Sequence, residues 1–155
     1  MRDLRRIILH CSDTEDGPNL DFKAIRRYHM ESNKWHDIGY HFVFERIGTM
    51  YAVTAGRPIR VEGAHTAGQN YDSVGVCVVG KFDKEVPELV FAGVADFLAF
   101  LAPTLAITAQ DIFFHRNFTD YKTCPDLAWD LQALRDAVKQ RMEPHGTLIM
   151  RGGYR

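Results

Sequence analysis

Apolar residues follow two rhythms along this chain: short β-branched runs, and longer stretches at helical spacing. Residues 6–10, Arg6-Ile7-Ile8-Leu9-His10, read as a short buried strand. Residues 11–19 are rich in Ser, Asp, Thr, Gly and Pro, a loop composition. Asp21 is placed to cap a helix over 22–33, with Phe22, Ile25, His29 and Met30 on its inner face. After a turn at Asp37-Ile38-Gly39, residues 40–46 alternate, with His41, Val43 and Glu45 on one side and Phe42 and Phe44 on the other. Gly48-Thr49 turns this strand into a second one over 50–53, giving a hairpin. Residues 54–70, with Gly56, Pro58, Gly63 and Gly68, read mostly as loop. Residues 73–79 form an unbroken small-and-apolar run ended by Gly80, the signature of a strand buried on both faces. A helix over 88–102 carries a wide apolar stripe of Leu89, Val90, Val94, Phe97, Leu98 and Leu101. Residues 112–114 give a short strand. A last helix is expected over 126–142, entered through Pro125, with Leu127, Leu131, Leu134, Val138 and Met142 on one face.

Strands and helices alternate, so the expected class is α/β: a single domain with a mixed central β-sheet flanked by about three helices. The domain is expected to cover 1–142, and the aperiodic tail 143–155 to be loosely held or packed locally. A chain of 155 residues suits one core. Hydrophobic residues at 46% and charged residues at 25% are ordinary for a globular protein. With 19 basic against 20 acidic residues, there is no bulk electrostatic case for a nucleic-acid partner, although Arg2, Arg5 and Arg6 cluster near the start. Three cysteines argue against a disulfide framework. No apolar run reaches the roughly 18 residues of a membrane span. The apolar run Ile7–Leu9 is too short for a signal peptide, so synthesis in the cytoplasm without an export signal is expected, with no stable membrane association.

The candidate chemistry gathers in loops. His10 and His115 each end an apolar strand, and sites in such sheets collect where strands end. Cys124 precedes Pro125 at the expected helix start, where the positive helix end would favour a thiolate. Singly, each has an ordinary structural reading; together they offer the two commonest zinc-ligand types, outside helix interiors. Cys11 and Cys77 read as buried small residues, His29, His36 and His145 as surface or packing histidines, and Trp35 and Trp129 as core. His41 reads as packing or as support.

Five motifs occur in order: His10-Cys11-Ser12-Asp13-Thr14, Gly39-Tyr40-His41-Phe42, His65-Thr66-Ala67-Gly68-Gln69-Asn70, the 73–80 run, and Lys122-Thr123-Cys124-Pro125. Over roughly residues 5–140 the chain resembles the zinc-dependent N-acetylmuramoyl-L-alanine amidases of the type 2 amidase and peptidoglycan-recognition superfamily, above all the phage lysozyme-type enzymes. The resemblance implies that His10, His115 and Cys124 hold one Zn2+ per chain, leaving a position for water or substrate. It implies that Tyr40 and Lys122 are catalytic, and that His65, Thr66 and Asn70 bind substrate. Cysteine at 124 looks like the phage-type enzymes, whereas muropeptide-recycling amidases usually carry aspartate there. Some relatives have a glutamate where this chain has Cys77, which shifts the base role toward Tyr40 and zinc-bound hydroxide. The implied reaction is hydrolysis of the amide between N-acetylmuramic acid and L-alanine by zinc-activated water, with Lys122 facing the oxyanion.

The implied setting is phage or prophage lysis, by a monomer reaching the wall after release from the cytoplasm, with peptidoglycan or muropeptide as its partner. Two alternatives stand beside it: a module that binds muropeptide without cutting it, and a cytosolic muropeptide-recycling amidase.

Overall fold

The computed structural model describes residues 2–15 and 21–143. Its frame is a five-stranded mixed sheet of β1 (Arg6–Cys11), β2 (Phe42–Ile47), β3 (Met50–Ala55), β4 (Ser73–Val78) and β5 (Ile112–Phe114). The spatial order is β3-β2-β4-β1-β5. β1 runs parallel to both β4 and β5, and β2 runs parallel to β4. Only the β2–β3 hairpin is antiparallel among the described strands. Gly48 turns it at φ +63°, a conformation that side chains with a Cβ disfavour.

Parallel strands need cover on both faces, and the two faces are covered differently. α2 (Glu88–Thr104) and α3 (Leu131–Met142) lie on one side. There Ile7 and Leu9 of β1, Val74, Val76 and Val78 of β4, and Ile112 and Phe114 of β5 pack with Val94, Leu98, Leu134 and Val138. Trp129 is buried among the rings of Phe82, Phe91 and Phe114, as a core tryptophan. On the other side a smaller cluster joins Ile38, Val43, Cys77 and Val79 to Phe22, Ile25 and Tyr40. α1 (Phe22–Glu31) supplies part of it. Asp21 Oδ1 caps this helix by accepting the Ala24 N–H at 2.9 Å, as its sequence position predicts. The buried Glu45 carboxylate accepts the Phe22 N–H at 2.8 Å and the Thr54 hydroxyl, tying α1 to the hairpin.

Element by element, the expected strands and helices are present, with ends shifted by a few residues. The last helix is the exception. It starts at Leu131, not 126, with Asp130 Oδ1 accepting the Ala133 N–H at 2.9 Å. Asp126 sits at φ +77°, outside helical space, and Leu127 is 70% exposed rather than part of the inner face. Cys124 therefore lies in a loop seven residues before the helix, and the helix-end argument for its thiolate does not hold. The expected tail lies outside the described residues apart from Glu143, and His145 with it. No helix among the described residues is long and apolar enough to cross a membrane.

Candidate metal centre

Strand pairing brings two of the three predicted ligands together. Leu9 pairs with Phe114, so the next residues, His10 and His115, emerge side by side at the parallel ends of β1 and β5. Their ring centroids are 4.5 Å apart. His10 is on the α1 face because β1 alternates: Ile7, Leu9 and Cys11 join the α2/α3 core.

The loop carrying Cys124 is folded back onto β5 by Arg116. Its N–H donates to Cys124 O at 2.8 Å. Its guanidinium donates to the Thr123 carbonyl at 3.3 Å, to the Trp129 carbonyl at 2.6 Å, and to the Asp126 carbonyl. The Cys11 N–H points at Cys124 Sγ from 3.3 Å.

The ligating atoms of His10, His115 and Cys124 all lie within 4.8 Å of one another. His10 Nδ1 is 3.8 Å from Cys124 Sγ. Zinc bonds to nitrogen and sulfur at tetrahedral angles hold neighbouring ligand atoms about 3.3–3.6 Å apart, so this donor set fits the ion with small side-chain adjustment. The electrostatics also favour the ligating forms. Contact with Cys11, then with His10 and His115, holds the Cys124 thiol well below its ordinary value. Its bond to Cys124 and its burial push the Cys11 thiol far up, leaving Cys11 a protonated donor. Burial lowers the His10 value, which keeps an imidazole lone pair available.

The three side chains lie at the floor of a cleft of about 830 Å³, within the range of small-ligand sites. The family model for N-acetylmuramoyl-L-alanine amidase matches residues 1–126. The chain belongs to that amidase family.

The family's relatives extend the picture. The endolysin of Escherichia phage T7 is 44% identical over 77 residues, covering 50% of this chain and 48% of the endolysin. The matched stretch thus spans about half the length of that relative. The N-acetylmuramoyl-L-alanine amidase LysC of Clostridium intestinale superposes with a TM-score of 0.74 at 23% identity, over 87% of this chain and 85% of that one. Drosophila PGRP-LB superposes at 0.68 and 24% identity, over 96% and 86% of the two chains. These two likenesses establish the amidase and peptidoglycan-recognition fold.

Around the amidase-family centre, the remaining predicted residues divide. Tyr40 lines the cleft with its ring 5.1 Å from that of His10. Burial, followed by the neighbouring cysteines, pushes its pKa well above 10, so it stands as a hydroxyl donor. Lys122 is exposed on the rim. His65 lines the cleft but also reaches the floor, with Nδ1 3.1 Å from His10 Nε2. Burial, then His10, His41, His115 and Arg2, lower its pKa to about 2. Thr66 is buried, with Oγ1 3.3 Å from His10 Nε2. Asn70 Oδ1 accepts the N–H groups of His65 and Thr66, both at 2.9 Å, and so braces their loop.

Several contributors carry no sequence signal of their own. Trp35 is half-buried on the cleft wall rather than in the core. His29 is buried, accepts the Gly39 N–H at 3.0 Å and also faces the cleft. Arg116 was visible only as a charge in a polar loop; its partners appear once that loop closes.

Proposed function

We propose that this chain hydrolyses the amide between N-acetylmuramic acid and L-alanine of peptidoglycan, with one zinc ion held by His10, His115 and Cys124. The observation that carries the reading is this ligand triad at the floor of a cleft whose wall holds Tyr40 and whose rim holds Lys122. Zinc bound there supplies a Lewis acid that polarises the scissile carbonyl and acidifies a bound water toward pKa ~7.

The protein's own groups do the rest. Lys122 brings a cation to the oxygen that gains charge as the carbonyl becomes tetrahedral, and its exposed position lets it swing onto substrate. Tyr40, kept protonated, donates a hydrogen bond to the attacking water or to the developing oxyanion. Cys77, which pairs in register with His10, offers no carboxylate base. Tyr28 and Trp35 give the cleft apolar faces against which a sugar or stem peptide can lie. His65, Thr66 and Asn70 form one braced loop, which presents the substrate side of the site through His65. The endolysin relatives support a role in cell-wall lysis by phage.

Digestion of purified peptidoglycan tests the proposal. New L-alanine N-termini, lost on chelation and restored by zinc, are the expected result. New reducing sugar ends, or release unaffected by chelation, would refute it.

A further inference from the structure

The side chains behind His10 form a chain of hydrogen bonds with a single consistent direction. It starts at a group that can only accept. Gln69 O is a backbone carbonyl, and Ser73 Oγ approaches it at 2.5 Å, so the one hydroxyl proton of Ser73 is committed there. His65 Nε2 lies 3.4 Å from the same hydroxyl, which is left to accept. The ring proton of His65 therefore belongs on Nε2, and its Nδ1 carries the lone pair. That lone pair faces His10 Nε2 at 3.1 Å. His10 Nε2 must then hold its proton, which leaves the His10 Nδ1 lone pair turned toward Cys124 Sγ. Thr66 Oγ1 fits the same polarity: it can donate to His65 Nδ1 at 3.1 Å and accept from His10 Nε2 at 3.3 Å. Reversing the chain would turn the Ser73 proton to His65 and leave two oxygens 2.5 Å apart with nothing between them.

The backbone is shaped to keep the His65 ring in this place. A Cβ on Gly75 of β4 would come within 2.5 Å of His65 Cδ2, and so would a Cβ on Gly63. Two glycines from separate segments thus open one slot, and the ring fills it. Ser73 is fully buried at the start of β4, so the far end of the chain is as fixed as the sheet.

We propose that Gln69 carbonyl, Ser73 and His65 form a positioning relay that fixes His10 as the Nε2–H tautomer and aims its Nδ1 at the metal. The inference rests on the zinc reading above for its purpose, and on the hydrogen-bond distances for its direction. His65 is then a positioning residue, acting through His10, in addition to whatever it presents to substrate. Partners of this kind behind a metal-bound histidine are worth about 10–100-fold in metal affinity.

Two measurements test it. Long-range proton–nitrogen NMR on the zinc-free wild-type protein reports the His10 tautomer directly; Nε2–H is expected, and Nδ1–H overturns the relay. Zinc affinity, measured by competition with a chromophoric chelator, is expected to weaken about 10–100-fold in His65→Ala and in a lesser degree in Ser73→Ala. His65→Asn places an oxygen where Nδ1 was and should restore affinity to within about threefold of wild type. His65→Gln places its polar end near Ser73 instead and should not. Equal affinity of His65→Ala and wild type, or equal behaviour of the Asn and Gln variants, overturns the relay. A wild-type chain that binds no zinc, with His10 still in the Nε2–H form, would sink the metal reading and leave the relay standing. If His65→Ala does not fold, the wild-type tautomer still decides.

Discussion

The two faces of the sheet use the same strands for opposite ends. Toward α2 and α3, β1 presents Ile7, Leu9 and Cys11, and β4 presents Val74, Val76 and Val78. One residue out of step, the same strands present His10, Gly75 and Cys77 to the cleft side, with His10 and Cys77 in register. The first face is apolar and holds most of the buried hydrophobic residues. The second gives up packing for ring slots, donors and acceptors. Alternation along a strand lets six residues serve folding and chemistry at once, and makes the two separable by mutation.

The largest effect expected on the cleft face is that of Cys124→Ser. Zinc content should fall from one per chain to near zero, and peptidoglycan digestion to the level of chelated wild type. Retained stoichiometric zinc would remove Cys124 from the ligand set. On the opposite face, Leu98→Ala should cost about 2–5 kcal/mol in urea unfolding while the folded protein keeps its zinc. A loss of metal in that variant under native conditions would show that the faces are not separable. Lys122→Ala should keep both zinc and stability and lower turnover about 10²–10³-fold, since the side chain is exposed and its expected contact is made only in the reaction. Unchanged turnover would end its oxyanion role.

The smallest effect concerns His41, which sits on the cleft face but serves the fold. Its Nδ1 accepts the Gly75 N–H at 3.0 Å, and its Nε2–H donates to Val61 O at 3.1 Å. Burial, chiefly, lowers its pKa from 6.5 to about 4. The unfolded chain then binds the proton first, so the contribution of His41 is whole above pH ~6.5 and is lost as pH falls toward ~4, at most about 3 kcal/mol. The urea midpoint of His41→Gln should vary less between pH 7 and 5 than that of wild type. An identical slope would assign the acid sensitivity elsewhere.

Much of this division is legible in the residues. The β-branched runs at Ile7–Leu9 and Val74–Val79 mark the central strands, and histidines at strand ends point to the candidate metal cluster. The start of α3 is misread because Pro125 imitates a helix entry, whereas the cap that decides is Asp130, whose carboxylate meets the Ala133 N–H. Trp35 reads as core because tryptophan usually is, yet its ring borders the open cleft. The contact between His65 and His10 spans 55 positions, and no local spacing encodes it. It exists because Gly63 and Gly75 leave room for the ring, a fact visible only once both segments are placed.

Arg2 gives the fold a practical vulnerability. Its guanidinium donates to the carbonyls of Ile59, Val61, Asn70, Tyr71 and Ser73, lacing both ends of the His65 loop to the start of β1. Five bonds from one side chain make the loop's register depend on a residue next to the first methionine. Trimming the chain through Arg2 should loosen the lining of the cleft more than 50 positions downstream in sequence.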